Sequence, residues 1–167
     1  GSKVLNEQAP RAIYKAKHAL EGWQIFHQTG DRNGPAVREL YAKLGIKASV
    51  SSFFDDMPKI MAETDLAISR SGGTTLAELA AFAVPALLVP YENAADNHQR
   101  LNADIFQKYG AAEVIDPRDV EGRLDDRIAA GSANWRNAKS VAAAWPRPCT
   151  NWHGPMPHGW WQRRSAK

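Results

Sequence analysis

Apolar residues over the first 130 positions fall into short blocks that alternate between helical and strand spacing. Val4, Leu5, Ala9, Ile13 and Ala16 recur at near-helical intervals, so a helix opens the chain with Ser2 placed to cap it. Pro10 lies inside that stretch and predicts a kink or a split. Residues 23–27 read as a short strand ending in the turn Thr29-Gly30-Asp31. A second helix is expected over 35–44 with Val37, Leu40, Tyr41 and Leu44 inward. A weak strand at 48–50 precedes Phe53-Phe54-Asp55-Asp56-Met57, which leads into a short helix through Met61. Residues 66–68 form a strand, followed by a turn of small residues and a helix. Residues 85–89 are a continuous apolar strand, the pattern of a strand covered on both faces. A helix over 97–109 closes at Gly110, a strand covers 112–115, and a last helix runs over 118–129. Strands alternating with helices imply an α/β protein with a Rossmann-like, doubly wound parallel sheet. No internal repeat is visible.

The densest chemistry sits at Ser69-Arg70-Ser71-Gly72-Gly73-Thr74-Thr75-Leu76-Ala77-Glu78. A turn of small residues ahead of a helix leaves backbone N–H groups pointing outward, and the helix dipole adds positive charge there, which suits phosphate. Glu78, one turn further on, can accept hydrogen bonds from a ribose. The polar run Asp96-Asn97-His98-Gln99 follows the apolar strand and can reach a sugar. A plainer reading also stands: the turn is only a connection, with Thr74 or Thr75 capping the helix. Arg70 is either a phosphate clamp or a structural residue, with the structural role favoured. Asp55-Asp56 suits a metal or, more economically, a helix cap. Cys149 has no partner base, and its spacing to His153 and His158 does not make a convincing metal site. His18 and His27 read as structural.

The combination of S-R-S-G-G-T-T-L-A-E, V-P-A-L-L-V-P and D-N-H-Q-R-L-N-A resembles the C-terminal half of MurG-type glycosyltransferases (glycosyltransferase family 28), which have the GT-B fold. The resemblance runs from Gly1 to about Asp116. It implies that the backbone at Phe54 reads the uracil edge and that Gly73, Thr74, Thr75, Leu76 and Ala77 line the diphosphate and sugar, with Ser71 and Gly72 also among the substrate-binding residues. It further implies that Glu78 holds the ribose and that Gln99 contacts N-acetylglucosamine, with His98 beside it and Asn102 holding the loop. The family often has an aliphatic residue where Phe54 stands. No metal and no cofactor are expected, and no catalytic residue, because the base and the acceptor cleft belong to an N-terminal domain not seen in these residues. The first strand and most of a glycine loop are likewise expected ahead of Gly1. The implied activity is inverting transfer of N-acetylglucosamine from UDP-N-acetylglucosamine to undecaprenyl-diphosphate-MurNAc-pentapeptide, making lipid II for peptidoglycan. The isolated chain is expected to bind donor without turnover. Other readings are one subunit of a two-chain transferase acting on a lipid-linked acceptor, a UDP-N-acetylglucosamine epimerase, and an inactive fragment.

Length and composition fit one globular domain. The chain has no run of about 18 apolar residues, no signal-peptide pattern and a single cysteine, which together suit a cytoplasmic protein; the resemblance implies a peripheral place on the inner membrane face. The net charge of +3 conceals an asymmetry. Residues 1–126 carry 14 Lys and Arg against 18 Asp and Glu, a net of −4, whereas residues 127–167 carry 7 basic residues and no acid. A basic tail suits nucleic acid or an anionic membrane; the resemblance implies the membrane and no nucleic acid. The domain is therefore placed at 1–145. Residues 146–167, with four prolines and three tryptophans, are expected to be irregular, either a genuine Pro/Trp-rich tail or a shifted reading frame.

Overall fold

The computed structural model describes residues 2–92 and 97–137, with side chains through 134. The expectations for the tail from 146 onward lie outside the described residues. The described chain alternates strands and helices: α1 (Lys3–Lys15), β1 (Phe26–Gln28), α2 (Gly34–Lys43), β2 (Ser49–Ser51), α3 (Met57–Glu63), β3 (Ala67–Ser69), α4 (Gly73–Phe82), β4 (Ala86–Leu88), α5 (His98–Lys108), β5 (Ala112–Val114) and α6 (Leu124–Asn137). All strand pairs are parallel. They form two sheets, β1-β2 and β3-β4-β5, rather than one continuous sheet.

Helices cover both faces. On one face α1 and α6 bury Leu5, Ala12, Ile128 and Leu124 against Leu87, Val89 and Ile115. On the other, α4 and α5 pack Leu76, Leu79 and Ala103 against Ala86, Leu88 and Ala112. Every residue of β4 is buried, as its unbroken apolar run requires. A third cluster joins Ile13 of α1 to Val37 and Tyr41 of α2.

Several local expectations hold. Ser2 caps α1, accepting from the Leu5 amide at 3.3 Å. Asp56 caps α3, accepting from the Lys59 amide at 3.2 Å, which is the cap reading of the Asp55-Asp56 pair. Gly110 follows α5 at φ +68°, a left-handed conformation that glycine adopts without strain.

Others are corrected. Pro10 does not split the first helix, which runs unbroken from Lys3 to Lys15; Pro10 is fully buried, and its packing offsets the one backbone bond it cannot make. The first strand is Phe26–Gln28, not 23–27, because these are the residues that stand in register with Ser49–Ser51. The expected helix over 118–129 is instead a short 3-10 turn, Pro117–Asp119, and then α6. Glu121 and Gly122 both have positive φ, which breaks the helical path between them.

His27 is structural, as expected. Asn6 Nδ2 donates to the Thr29 carbonyl at 3.0 Å, so Asn6 Oδ1 is left to accept from His27 Nε2 at 3.0 Å. Tyr41 Oη then donates to His27 Nδ1 at 3.0 Å. This network ties α1, β1 and α2 through a neutral imidazole. Burial pushes the His27 pKa below its ordinary 6.5. The unfolded chain therefore takes up this proton first, and stability contributed by neutral His27 is present above pH 6.5 and lost as pH falls below it. Urea midpoints measured at pH 7.5 and 5.5 should fall at the lower pH, and His27→Gln should flatten that difference.

Candidate functional site

The site is built where parallel strands end and helices begin, at the C-terminal edge of the β3-β4-β5 sheet. β3 ends at Ser69, and Ser71, Gly72 and Gly73 carry the chain into α4. The helix N-cap is Gly72, which has no side chain to satisfy the first turn. The sequence reading that Thr74 or Thr75 caps the helix is thereby corrected: both lie inside it. The Leu76 amide donates to the Gly72 carbonyl at 3.0 Å, and the Leu76 side chain is in the core. The amides of Gly73, Thr74 and Thr75 have no acceptor among the described residues. Three such donors at the positive end of a ten-residue helix form an anion cradle. No heavy atom lies within 4 Å of a Cβ built on Gly72 or Gly73, so the approach to these amides is open.

Ser71 is fully buried, and its hydroxyl donates to the Gln99 carbonyl at 2.7 Å. Asn102 Nδ2 reaches the Ser71 carbonyl at 3.4 Å. These two bonds lock the glycine turn to the start of α5, so Asn102 holds the loop as expected. Arg70 takes the structural role. Its guanidinium donates to the Val89 and Pro90 carbonyls at 3.1 and 2.6 Å and to Ser2 Oγ at 3.0 Å, and it lies over the Tyr91 ring.

A groove of about 1240 Å³ runs past this turn. Of the sequence-predicted residues it brings together Phe54, Thr75, Glu78 and Gln99. Glu78 is exposed on α4, one turn from the free amides. Gln99 Oε1 accepts from the Tyr91 amide at 3.0 Å, which fixes its side chain beside the groove and leaves Nε2 to donate. His98, the first residue of α5, is exposed and does not line the groove, and Ala77 also stays outside it.

Sequence reading missed Gln28. Its Oε1 accepts from the Phe54 amide at 3.2 Å, the backbone donor assigned to the base edge. Phe54 also packs edge-on against Phe26, with ring centroids 6.0 Å apart. The available signal was position: Gln28 ends a parallel strand, where ligand groups collect. Asp116, at the exit of β5, was missed as well. It is buried and receives Arg118 Nη2 at 2.6 Å and Arg100 Nη1 at 2.7 Å. The Arg118 side chain first, and its backbone amide and Arg100 after it, hold the Asp116 pKa well below the usual carboxylate range against the opposing effect of burial. Because Arg100 is on α5, this cluster fixes the helix that presents Gln99.

Over 132 residues the chain is 43% identical to a Sorangium cellulosum protein named UDP-N-acetylglucosamine–N-acetylmuramyl-(pentapeptide) pyrophosphoryl-undecaprenol N-acetylglucosamine transferase, covering 77% of this chain and 33% of that one. A Hahella chejuensis protein of the same name is 43% identical over 115 residues, covering 69% of this chain and 32% of its own length. The crystal structure of Acinetobacter baumannii MurG superposes with a TM-score of 0.67 at 29% identity, covering 87% of this chain and 46% of that chain. The chain thus spans about a third of the length of these curated relatives and has the fold of the C-terminal half of a GT-B glycosyltransferase. Residues 1–145 match the model of the glycosyltransferase family 28 C-terminal domain, and the chain belongs to that family.

Proposed function

We propose that this chain is the donor-binding half of an inverting N-acetylglucosaminyltransferase that uses UDP-N-acetylglucosamine and a lipid-linked MurNAc-pentapeptide acceptor. The observation that carries this reading is the set of amides at Gly73, Thr74 and Thr75 that find no acceptor among the described residues, with Glu78 one turn beyond them and both Thr75 and Glu78 lining one groove. In this reading the amides of α4 hold the diphosphate, Glu78 accepts from the ribose hydroxyls, the Phe54 backbone meets the uracil and Gln99 Nε2 donates to the sugar. The relatives' names supply the donor and acceptor classes.

The chemistry follows from the charge that develops. As an acceptor hydroxyl attacks C1 from the opposite face, the C1–oxygen bond to UDP breaks and its electron pair passes to the diphosphate. Preorganised donors at the α4 N-terminus stabilise that charge more in the transition state than in bound donor. The group that takes the proton from the acceptor hydroxyl is assigned to an N-terminal domain, as is the acceptor cleft. Among the described residues no helix is long and apolar enough to cross a membrane. A peripheral position on the cytoplasmic membrane face, beside a lipid-linked acceptor, completes the reading.

Calorimetric titration of the chain with UDP-N-acetylglucosamine tests the proposal: saturable one-to-one binding is expected, competed by UDP, and no heat at millimolar donor would overturn it. Gln99→Ala adds resolution. Removing one neutral donor to the sugar should weaken UDP-N-acetylglucosamine by about 1 kcal/mol and leave UDP nearly unchanged. Equal losses for both ligands would take Gln99 away from the sugar.

A further inference from the structure

We propose that Gln28 closes the base site of the unliganded chain by standing in for the nucleobase, so that an incoming pyrimidine must displace it. The inference rests on the donor reading of this groove and adds a built-in competitor to it.

Gln28 is the last residue of β1 and is exposed. Its Oε1 accepts from the Phe54 amide at 3.2 Å. Both residues line the groove that also carries Thr75, Glu78 and Gln99. A primary amide bears an acceptor oxygen and a donor nitrogen on one carbon. The imide edge of uracil bears the same pair, a carbonyl oxygen beside an N–H. Gln28 therefore offers Phe54 the chemistry that uracil would offer, from a tether within the chain. Its Nε2 donates to no partner among the described residues, so the other half of the mimic is unspent.

The loop that carries Phe54 does not need Gln28 to hold it. The Thr29 amide donates to the Ser51 carbonyl at 2.9 Å, and the Gly30 amide to the Ser52 carbonyl at 3.1 Å. The Ser51 hydroxyl donates to the Phe53 carbonyl. The Phe26 ring meets that of Phe54 edge-on. What Gln28 adds is occupation of one donor that faces the groove. A neutral hydrogen bond of this kind favours the closed form over the open one by about two- to tenfold. The apparent affinity of a ligand falls in proportion to the fraction of chains that are open. Removing the competitor should thus tighten a ligand that uses the Phe54 amide, and leave alone a ligand that does not reach it.

The test compares wild type, Gln28→Ala and Gln28→Glu as full chains, by amide NMR titration with uridine, UDP and inorganic pyrophosphate. In the unliganded chain Gln28→Ala should shift the Phe54 amide upfield, because its acceptor is gone. Uridine and UDP should tighten by the same factor, about three- to tenfold, with pyrophosphate unchanged. Gln28→Glu has the same reach and a stronger, charged acceptor. It should weaken uridine, which carries no charge to be repelled. Equal or weaker uridine binding by Gln28→Ala would overturn the proposal. So would a Phe54 amide that ignores the substitution, or an equal gain for pyrophosphate. If wild type and Gln28→Ala bind UDP with the same affinity, the competitor is refuted and the donor reading stands. If neither binds UDP, the donor reading falls and this inference falls with it.

Discussion

Replacing Glu78 with alanine should weaken UDP binding by about 1.5–3 kcal/mol, the range for losing hydrogen bonds to a charged acceptor. Glu78 is exposed on α4 and lines the groove one turn beyond the amides of Gly73, Thr74 and Thr75, which have no acceptor among the described residues. Its side chain makes no bond among the described residues, so the substitution removes no contact of the fold. Alanine is also a good helix former, so α4 should keep its stability. The expected signature is therefore a loss of affinity for UDP and for UDP-N-acetylglucosamine alike, with the thermal midpoint unchanged. Glu78→Gln should recover part of the loss, because an amide oxygen still accepts. Calorimetry with wild type and both variants measures all three values. Equal affinity for wild type and Glu78→Ala would remove Glu78 from the site.

The second large effect is on stability. Asp116→Ala leaves Arg100 and Arg118 without their shared carboxylate. Removing one partner of a fully buried ion pair costs about 3–5 kcal/mol; here the arginine side chains are 31% and 46% exposed, so solvent reduces the cost to about 2–3 kcal/mol. Urea denaturation at pH 7 measures it. The sign of the pH dependence is fixed by the direction of the shift. Asp116 has a depressed pKa in the folded chain, so its contribution is present above the ordinary value of 3.8 and is lost as pH falls below it. Acid unfolding of Asp116→Ala should accordingly show a shallower slope below that pH than wild type. The same substitution frees the start of α5, where Gln99 is held, so a smaller loss of sugar affinity should accompany it.

The strand, glycine turn and helix around Ser69–Glu78 were legible because each step has a local cause: an apolar run, then residues without bulk, then helical spacing. Caps at Ser2 and Asp56 were legible for the same reason, since a cap is a bond between neighbours in sequence. Features decided by distant partners were not. The first strand is placed by its pairing with Ser49–Ser51, and nothing in residues 23–28 alone specifies that register. Pro10 signals a break, but a buried position in the α1 core overrides it. The interruption before α6 depends on positive φ at Glu121, a non-glycine residue whose type does not announce it. At the site, the resemblance supplied residue identities, and the structure separates their parts: Ser71 and Leu76 turn inward, the amides of Gly73 to Thr75 find no acceptor among the described residues, and Gln28 occupies the Phe54 donor across a distance in sequence that no local pattern spans.

The most direct measurement of the central claim is an amide NMR titration of the isotope-labelled chain with UDP and, separately, with uridine. If the α4 N-terminus holds the diphosphate, the amides of Gly73, Thr74 and Thr75 move strongly downfield with UDP and stay in place with uridine, while the Phe54 amide moves with both. UDP binding that leaves those three amides unmoved would contradict the account.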